Sequence, residues 1–392
     1  MSWPMVKLGD VVTLNPRASK ELDSTQIVSF VGMASVSEDG QLLSEEPRVL
    51  EETKKGFTYF AKSDVLLAKI TPCFENGKCL RANQISNPVG FGSTEFHVLR
   101  PDESRLDATY LFYMIWSEQF RVLGAASMSG AAGQKRVGSD FLKNFEIPLP
   151  PLAEQKRIAA ILDKADTIRR KRQQAIQLAD DFLRAVFLQM FGDPVTNPKG
   201  WEVKSCSEIS KQITVGVVVK PASYYVDEGV PAIRSLNIKE YGIDETNFVY
   251  FSEETNKTVL SKSRVYEGDL VIVRSGQPGK TAVITKKHDG INAIDVLIFR
   301  PIKEVVDSAY LAYFFNSGAG KNIVLAEERG QIQKHLNVTS LNTALIPIPP
   351  INKQREFVKL LDSFRKKFSR NNSFFHDELF LSASKKAFSG QL

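Results

Sequence analysis

Two stretches of this chain, 199 positions apart, carry the same proline signature, and each is followed by a long segment free of Gly and Pro. That duplication restricts the fold more than any other feature. Ile147-Pro148-Leu149-Pro150-Pro151-Leu152 returns as Ile346-Pro347-Ile348-Pro349-Pro350-Ile351. Behind the first, Ile158, Ile161, Ala165, Ile168, Ala175, Ala179, Phe182 and Val186 fall on one stripe at three-to-four spacing, with Arg172 the charged intruder. Such a stripe is the narrow apolar seam of a long helix that packs against another helix. As a single helix, residues 153–191 span roughly 58 Å, and Gly192-Asp193-Pro194 stop it. Behind the second signature, Phe357, Leu361, Phe364, Phe368 and Phe375 continue a helical stripe to Phe388, closed by Ser389-Gly390. Leu162 and Leu361 align at the same offset and are predicted in the buried seam. A period this long is not a solenoid repeat. The chain is predicted to be a duplicated unit: blocks over 1–146 and 196–345, each delivering into a signature and spacer helix, 147–195 and 346–392.

The blocks match internally as well. Trp3-Pro4-Met5-Val6-Lys7 answers to Trp201-Glu202-Val203-Lys204, and Asp64-Val65-Leu66-Leu67-Ala68-Lys69 to Asp269-Leu270-Val271-Ile272-Val273-Arg274. Each of the latter reads as a turn residue, a buried strand and a terminal cation. Later strands are predicted at 95–99 and 296–300, then helical stretches at 108–120 and 308–316. Strands followed by a helix pair, a loop and a last strand give an α+β block.

Polar loops follow the strands at corresponding places. The first block has Lys69, Thr71, Asn76 and Lys78, then Ser93 and Thr94, then Gln134, Lys135 and Arg136. The second has Arg274, Ser275, Gln277 and Lys280, then Gln333, Lys334 and His335. Such side chains read base edges and hold phosphates. Polar loops at matching positions in both halves suggest a binding edge rather than ordinary solvated turns.

Charge is divided unevenly. The net +6 comprises about +3 on residues 153–191 and +5 on residues 353–392, leaving the rest near −2. Basic helices are compatible with a nucleic-acid partner without establishing one. Arg169-Arg170-Lys171-Arg172 reads equally as a phosphate-binding run, a solvated face or a contact for an acidic protein. Cys73, Cys79 and Cys206 make no disulfide framework, and neither a signal peptide nor a long apolar run is present, so a cytoplasmic setting is expected. Gly279-Lys280-Thr281 lacks the earlier glycine of a phosphate loop, because Arg274 stands there. No Asp/Asn-Pro-Pro-aromatic methyltransferase motif occurs, and His97, His288, His335 and His376 have no metal spacing. No metal site and no catalytic residue is expected.

With two halves each ending Ile-Pro-x-Pro-Pro-[Leu/Ile]-x-x-Gln-[Lys/Arg], the chain resembles the specificity (S) subunits of Type I restriction–modification enzymes along its whole length. The resemblance is carried by Ile147–Arg157 with Ile161-Leu162-Asp163, by Phe187–Pro194, and by Ile346–Arg355 with Leu360-Leu361-Asp362 and Ala387-Phe388-Ser389-Gly390. Asp64–Lys78 with Gly92-Ser93-Thr94-Glu95-Phe96 resembles a common first target-recognition domain of that family. The resemblance implies two pseudo-two-fold-related target-recognition domains, held apart by a pair of long antiparallel coiled-coil helices. Each domain would read one half of a split, asymmetric double-stranded DNA site, and the helices would dock two modification (methyltransferase) subunits. S-adenosylmethionine, ATP and Mg would belong to those partners and to restriction (motor nuclease) subunits, with no cofactor on this chain. The other readings are the recognition part of a fused methyltransferase or nuclease, and a coiled-coil scaffold without DNA.

Overall fold

The computed structural model describes residues 3–131, 133–240, 242–326, 335–368, 380 and 382–389, with Phe368 as backbone only. The first repeat runs β1 (Met5–Lys7), β2 (Val12–Leu14), β3 (Ile27–Val31), β4 (Glu46–Val49), α1 (Leu50–Thr53), β5 (Thr58–Ala61), β6 (Val65–Ala68), β7 (Cys79–Arg81), β8 (Val89–Gly92) and β9 (Phe96–Pro101). It continues with α2 (Ala108–Trp116), α3 (Glu118–Ala126), α4 (Ser139–Asn144), β10 (Glu146–Pro148) and the long α5 (Leu152–Phe191). The second repeat runs β11 (Glu202–Ser205), β12 (Ser210–Val215), β13 (Tyr225–Val226), β14 (Val230–Ile233), β15 (Ile238–Lys239), β16 (Gly242–Ile243), β17 (Val249–Phe251), α6 (Glu253–Lys257), β18 (Leu270–Val273) and β19 (Thr281–Val283). After these come β20 (Asn292–Ala293), β21 (Val296–Pro301), α7 (Ser308–Asn316), α8 (Gly318–Val324), α9 (Val338–Thr343), β22 (Leu345–Ile348) and α10 (Ile351–Phe368).

The antiparallel sheets repeat strand for strand. An antiparallel sheet of order β2-β9-β6-β7 in the first half corresponds to β12-β21-β18-β19 in the second. Each half also has a mixed four-stranded sheet, β4-β3-β8-β5 in the first and β13-β17-β14-β20 in the second, but the parallel pair is central in the first (β3·β8) and at the edge in the second (β14·β20). The predicted central strands lie in the middle of the antiparallel sheets, and alternation explains why every residue of β6 is buried. Val65 and Leu67 join the cluster containing Tyr110, Leu111 and Ile115 of α2. Leu66 and Ala68 join Val31 and Phe60 of the other sheet. In β18 the same division sends Leu270 and Ile272 toward α7, and Val271 and Val273 toward Ile233 and Ala293. The α+β prediction holds, with one refinement. The stretch 108–120 is two helices, because the Ser117 hydroxyl accepts the Phe120 N–H at 3.3 Å and starts α3.

Each block is closed by its own ends. β1 pairs antiparallel with β10, setting Val6 against Ile147, and β11 pairs with β22, setting Val203 against Pro347. The proline signature is therefore an edge strand that turns into a helix, and its glutamine fixes the turn. Gln155 is fully buried; its Oε1 accepts the Asp107 N–H at 2.8 Å, and its Nε2 donates to the Arg105 and Pro150 carbonyls, both at 2.8 Å. Gln354 does the same with the Asp307 N–H at 2.9 Å and the Val305 and Pro349 carbonyls at 3.1 and 2.7 Å. The Asp107 and Asp307 carboxylates in turn cap α2 and α7. One amide thus locks the spacer helix to the start of the block's main helix.

The chain divides into two compact units, Met1–Gln174 with Arg370–Leu392, and Ala175–Ser369; the division falls inside α5. In the first unit, Ile158, Ala159 and Leu162 of α5 enter one core with Tyr110 and Tyr113 of α2 and with Phe380 and Ala387; Trp3 and Phe388 pack on the same core. In the second, Leu183, Phe187 and Phe191 join Tyr310, Phe357 and Leu361. Phe187 and Phe191 meet Phe357 edge-on, while Phe182 stacks on Phe364, so α10 runs antiparallel to the end of α5.

The buried stripe is turned from the predicted one. Ile158, Leu162, Phe357 and Leu361 are fully buried, while Ile161, Ala165 and Phe364 are half-buried. Ile168 is 43% exposed and Phe182 49% exposed, which removes both from a buried seam. The Phe368 side chain and Phe375 lie outside the described residues. The predicted seam assumed one helical partner, whereas the start of α5 also packs on α2. The buried face accordingly follows Ile158-Leu162 and then Ala179-Leu183-Phe187-Phe191. Two members of the basic run are spent within the fold. Arg169 and Arg170 both pair with the buried Asp166, and the Arg169 guanidinium lies over Trp116 and Phe380. No helix among the described residues is long and apolar enough to cross a membrane.

Candidate nucleic-acid interface

In the first block, backbone hydrogen bonds lace the three polar loops together at the end of β6. The Lys69 N–H donates to the Glu95 carbonyl, and the Lys69 carbonyl accepts the Val137 N–H, each at 2.9 Å. The Thr71 N–H donates to the Lys135 carbonyl at 2.9 Å, and Ile70 bridges Arg136. Residues from positions 69, 95 and 135 thus share one edge. Behind it, the buried His97 ring meets the Val137 carbonyl through Nε2 at 2.9 Å. Burial pushes the His97 imidazole below its ordinary range.

The predicted residues divide by what they hold. Lys69 is half-buried, while Thr94, Gln134 and Lys135 are exposed. Neither lysine ammonium has a hydrogen-bond or ion-pair partner among the described residues. Arg136 is clamped: Nε and Nη2 donate to the Glu95 carboxylate at 3.0 and 2.8 Å, and Nη1 to the Gln134 carbonyl at 3.0 Å. The Arg136 hydrogen bond, chiefly, holds the Glu95 carboxyl below its usual range. Thr71 donates to Glu75, and the Ser93 hydroxyl accepts the Glu95 N–H, so both serve local turns. Asn76 donates to Glu38 at 2.7 Å. Lys78 turns inward to the Met33 carbonyl at 3.1 Å and is not part of the free cationic edge.

The second block repeats one of these backbone bonds and ties the rest of its edge with side chains. The Leu336 N–H donates to the Arg274 carbonyl at 3.0 Å, as Val137 does to Lys69. Arg274 Nη1 donates to Asp295 at 2.8 Å, Nη2 meets His335 Nε2 at 2.7 Å, and Nε donates to the Leu336 carbonyl at 3.4 Å. Ser275 Oγ meets His335 Nδ1 at 2.7 Å. Gln277 accepts the Lys280 ammonium at 2.8 Å. Gln333 and Lys334 lie outside the described residues.

Sequence reasoning missed Glu95 and Asp295. They stand immediately before the equivalent strands β9 and β21, and each engages an arginine. Asp295 is held at φ 48°, left-handed backbone that Asp tolerates better than most residues. The matching acid ahead of both strands was the available signal. A second matched pair supports the edge from below. Asp64, fully buried, takes Arg100 through both oxygens at 2.7 and 2.8 Å, and Asp269 takes Arg300 at 3.2 Å.

The family model described as the Type I restriction modification DNA specificity domain matches residues 2–178 and again 198–373. The Type I restriction enzyme EcoEI specificity subunit of Escherichia coli is 27% identical, over 93% of this chain and 78% of its own length. The EcoAI specificity subunit, also of Escherichia coli, is 40% identical over 40% of this chain and 26% of its own length. A crystal structure of a Type I restriction–modification S subunit from M. genitalium superposes with a TM-score of 0.60 at 16% identity, covering 98% of this chain and 96% of that one; this likeness bears on the fold alone. With one family-model match on each repeat, together spanning most of the sequence, the chain belongs to the DNA specificity subunits of Type I restriction–modification systems.

Proposed function

We propose that each block of this specificity subunit reads one half of a split, asymmetric DNA site through its laced loops. The spacer helices set the separation of the half-sites and dock two modification subunits. Methyl transfer from S-adenosylmethionine, and ATP- and Mg-dependent restriction, reside on partner subunits, and this chain supplies recognition alone. The observation that carries the reading is the recurrence of one laced edge in both blocks with different chemistry. It presents Lys69, Thr94, Gln134, Lys135 and Arg136 in the first, and Arg274, Ser275, Gln277, Lys280 and His335 in the second. Thr71, Asn76, Lys78 and Ser93 support the first edge, and Gln333 and Lys334 are proposed as further DNA ligands of the second block from their residue types alone. Unlike edges imply unlike half-sites. Arg, Lys and Gln can offer phosphate contacts for register and base-edge contacts for sequence.

Selection of the full chain, with its modification subunits, on a randomised duplex pool tests this. Two short constant segments at a fixed spacing are expected. Lys135→Ala should weaken binding to all sequences and flatten the salt slope by about one unit. A single continuous or palindromic segment contradicts the proposal.

A further inference from the structure

The two blocks solve one problem in different ways. Ahead of β9 and of β21, an acid at the equivalent position holds an arginine, but the arginine comes from the third loop in one block and from the first loop in the other. A guanidinium has five N–H donors. In Arg136, Glu95 and the Gln134 carbonyl engage Nε, Nη2 and Nη1. In Arg274, the Leu336 carbonyl, Asp295 and His335 engage Nε, Nη1 and Nη2. With one hydrogen committed at each nitrogen, both arginines keep one hydrogen on each terminal nitrogen without a partner among the described residues. We propose, building on the function above, that Arg136 and Arg274 each read a guanine, and that Glu95, Asp295 and His335 are positioning residues that preset them.

Two coplanar donors side by side fit the O6 and N7 acceptors of guanine in the major groove. A phosphate also offers two acceptors, but the clamping carboxylate argues against it. Glu95 or Asp295 cancels the arginine's charge and would stand close to the phosphate's own. A neutral base edge suffers no such repulsion, and the unpartnered Lys69 and Lys135 are better phosphate ligands. The clamp also removes rotamer freedom before DNA arrives, so less is lost on binding. Arg274 is the extreme case, with its side chain only 16% exposed. His335 has a defined part in this. A guanidinium only donates, so His335 Nε2 must accept from Arg274, which places the ring proton on Nδ1, facing Ser275 Oγ.

The test is selection on a randomised duplex pool with the full chain in its complex, followed by sequencing, with a melting curve for each variant. The native complex should select a guanine in each half. Arg136→Ala should relax one of these positions and Arg274→Ala the other, each by about tenfold or more. Arg274→Lys, which keeps the charge but loses the fork, should relax the same position as Arg274→Ala. Glu95→Gln and Asp295→Asn should weaken the preference set by their own arginine while melting like the native chain. His335→Leu should act as Asp295→Asn does, and His335→Gln, which retains an acceptor, should restore the preference. Arginine variants that weaken all sequences evenly and flatten the salt slope would assign these side chains to phosphates and overturn the inference. Relaxation at a base other than guanine overturns it equally. A native complex that selects no split site defeats the proposed function itself, an outcome distinct from either.

Discussion

Replacing Gln155 tests whether the signature glutamine is the lock between block and spacer helix. The side chain is fully buried and makes three hydrogen bonds of 2.8 Å. Gln155→Ala strips partners from the buried Pro150 carbonyl and from the partly buried Asp107 N–H and Arg105 carbonyl. A net hydrogen bond contributes about 1 kcal/mol, and a buried group left unpaired costs about 1–3 kcal/mol. Because water can reach two of the three groups, the loss should be about 2–4 kcal/mol, read from urea unfolding followed by tryptophan fluorescence. Gln155→Glu refines the test, because it keeps the acceptor toward Asp107 but turns an oxygen toward two carbonyls. Burial would raise the carboxyl's folded pKa above the unfolded value of about 4.3. The folded state would then hold a proton that the unfolded chain releases, so stability should fall as pH rises through that window. Acidification from pH 7 toward 5 should therefore recover stability in Gln155→Glu relative to the native chain. A loss below about 1 kcal/mol for Gln155→Ala, or a pH-independent deficit in Gln155→Glu, would refute the lock.

Leu162→Ala and Leu361→Ala should each lose about 2–5 kcal/mol in the same unfolding assay, whereas Ile168→Ala, on the exposed face, should stay within about 1 kcal/mol; equal losses would restore the seam read from sequence. Asp64→Asn leaves Arg100 without its carboxylate. The side chain of Arg100 is 32% exposed, so the cost of breaking the pair should be discounted to about 2–3 kcal/mol, and an unchanged midpoint would show that solvent replaces the pair. His97 is pushed below its ordinary value by burial, so in acid the unfolded chain binds a proton that the folded chain refuses. Its contribution should be complete above pH 6.5 and lost as pH falls through the window below, and His97→Gln should flatten that part of the profile.

The duplicated signature made the repeat, the α+β blocks and the long helix readable, because Pro, Gly and an unbroken apolar period act locally. Residues 308–316 were predicted as a helix and are one, since Asp307 and Ser317 bound the segment with their own hydrogen bonds. The break at Ser117 is equally local but is masked by apolar residues on both sides. The orientation of α5 was harder. Its face is chosen by α2 and by Phe380, Ala383 and Ala387, and no periodicity within the helix records how many partners it has. In the candidate site, the loops could be found because their composition is local. The acid–arginine clamps could not, because Glu95 reaches 41 positions to Arg136 and Asp295 reaches 21 back to Arg274. Lys78 shows the converse, a contact that composition does not reveal. Its type and loop suggested a ligand, and the fold sends it to the Met33 carbonyl.

The central claim is that the two blocks read independently, each taking its own half of one site. Mapping methylated adenines across the genome of cells that make this chain with its modification subunits tests it most directly, first with the native sequence and then with Arg274→Ala. The account predicts a native motif of two unlike segments at constant spacing, and in the variant a degraded second segment beside an intact first one. A continuous motif, or simultaneous loss of both segments from a variant that still folds and assembles, would contradict it.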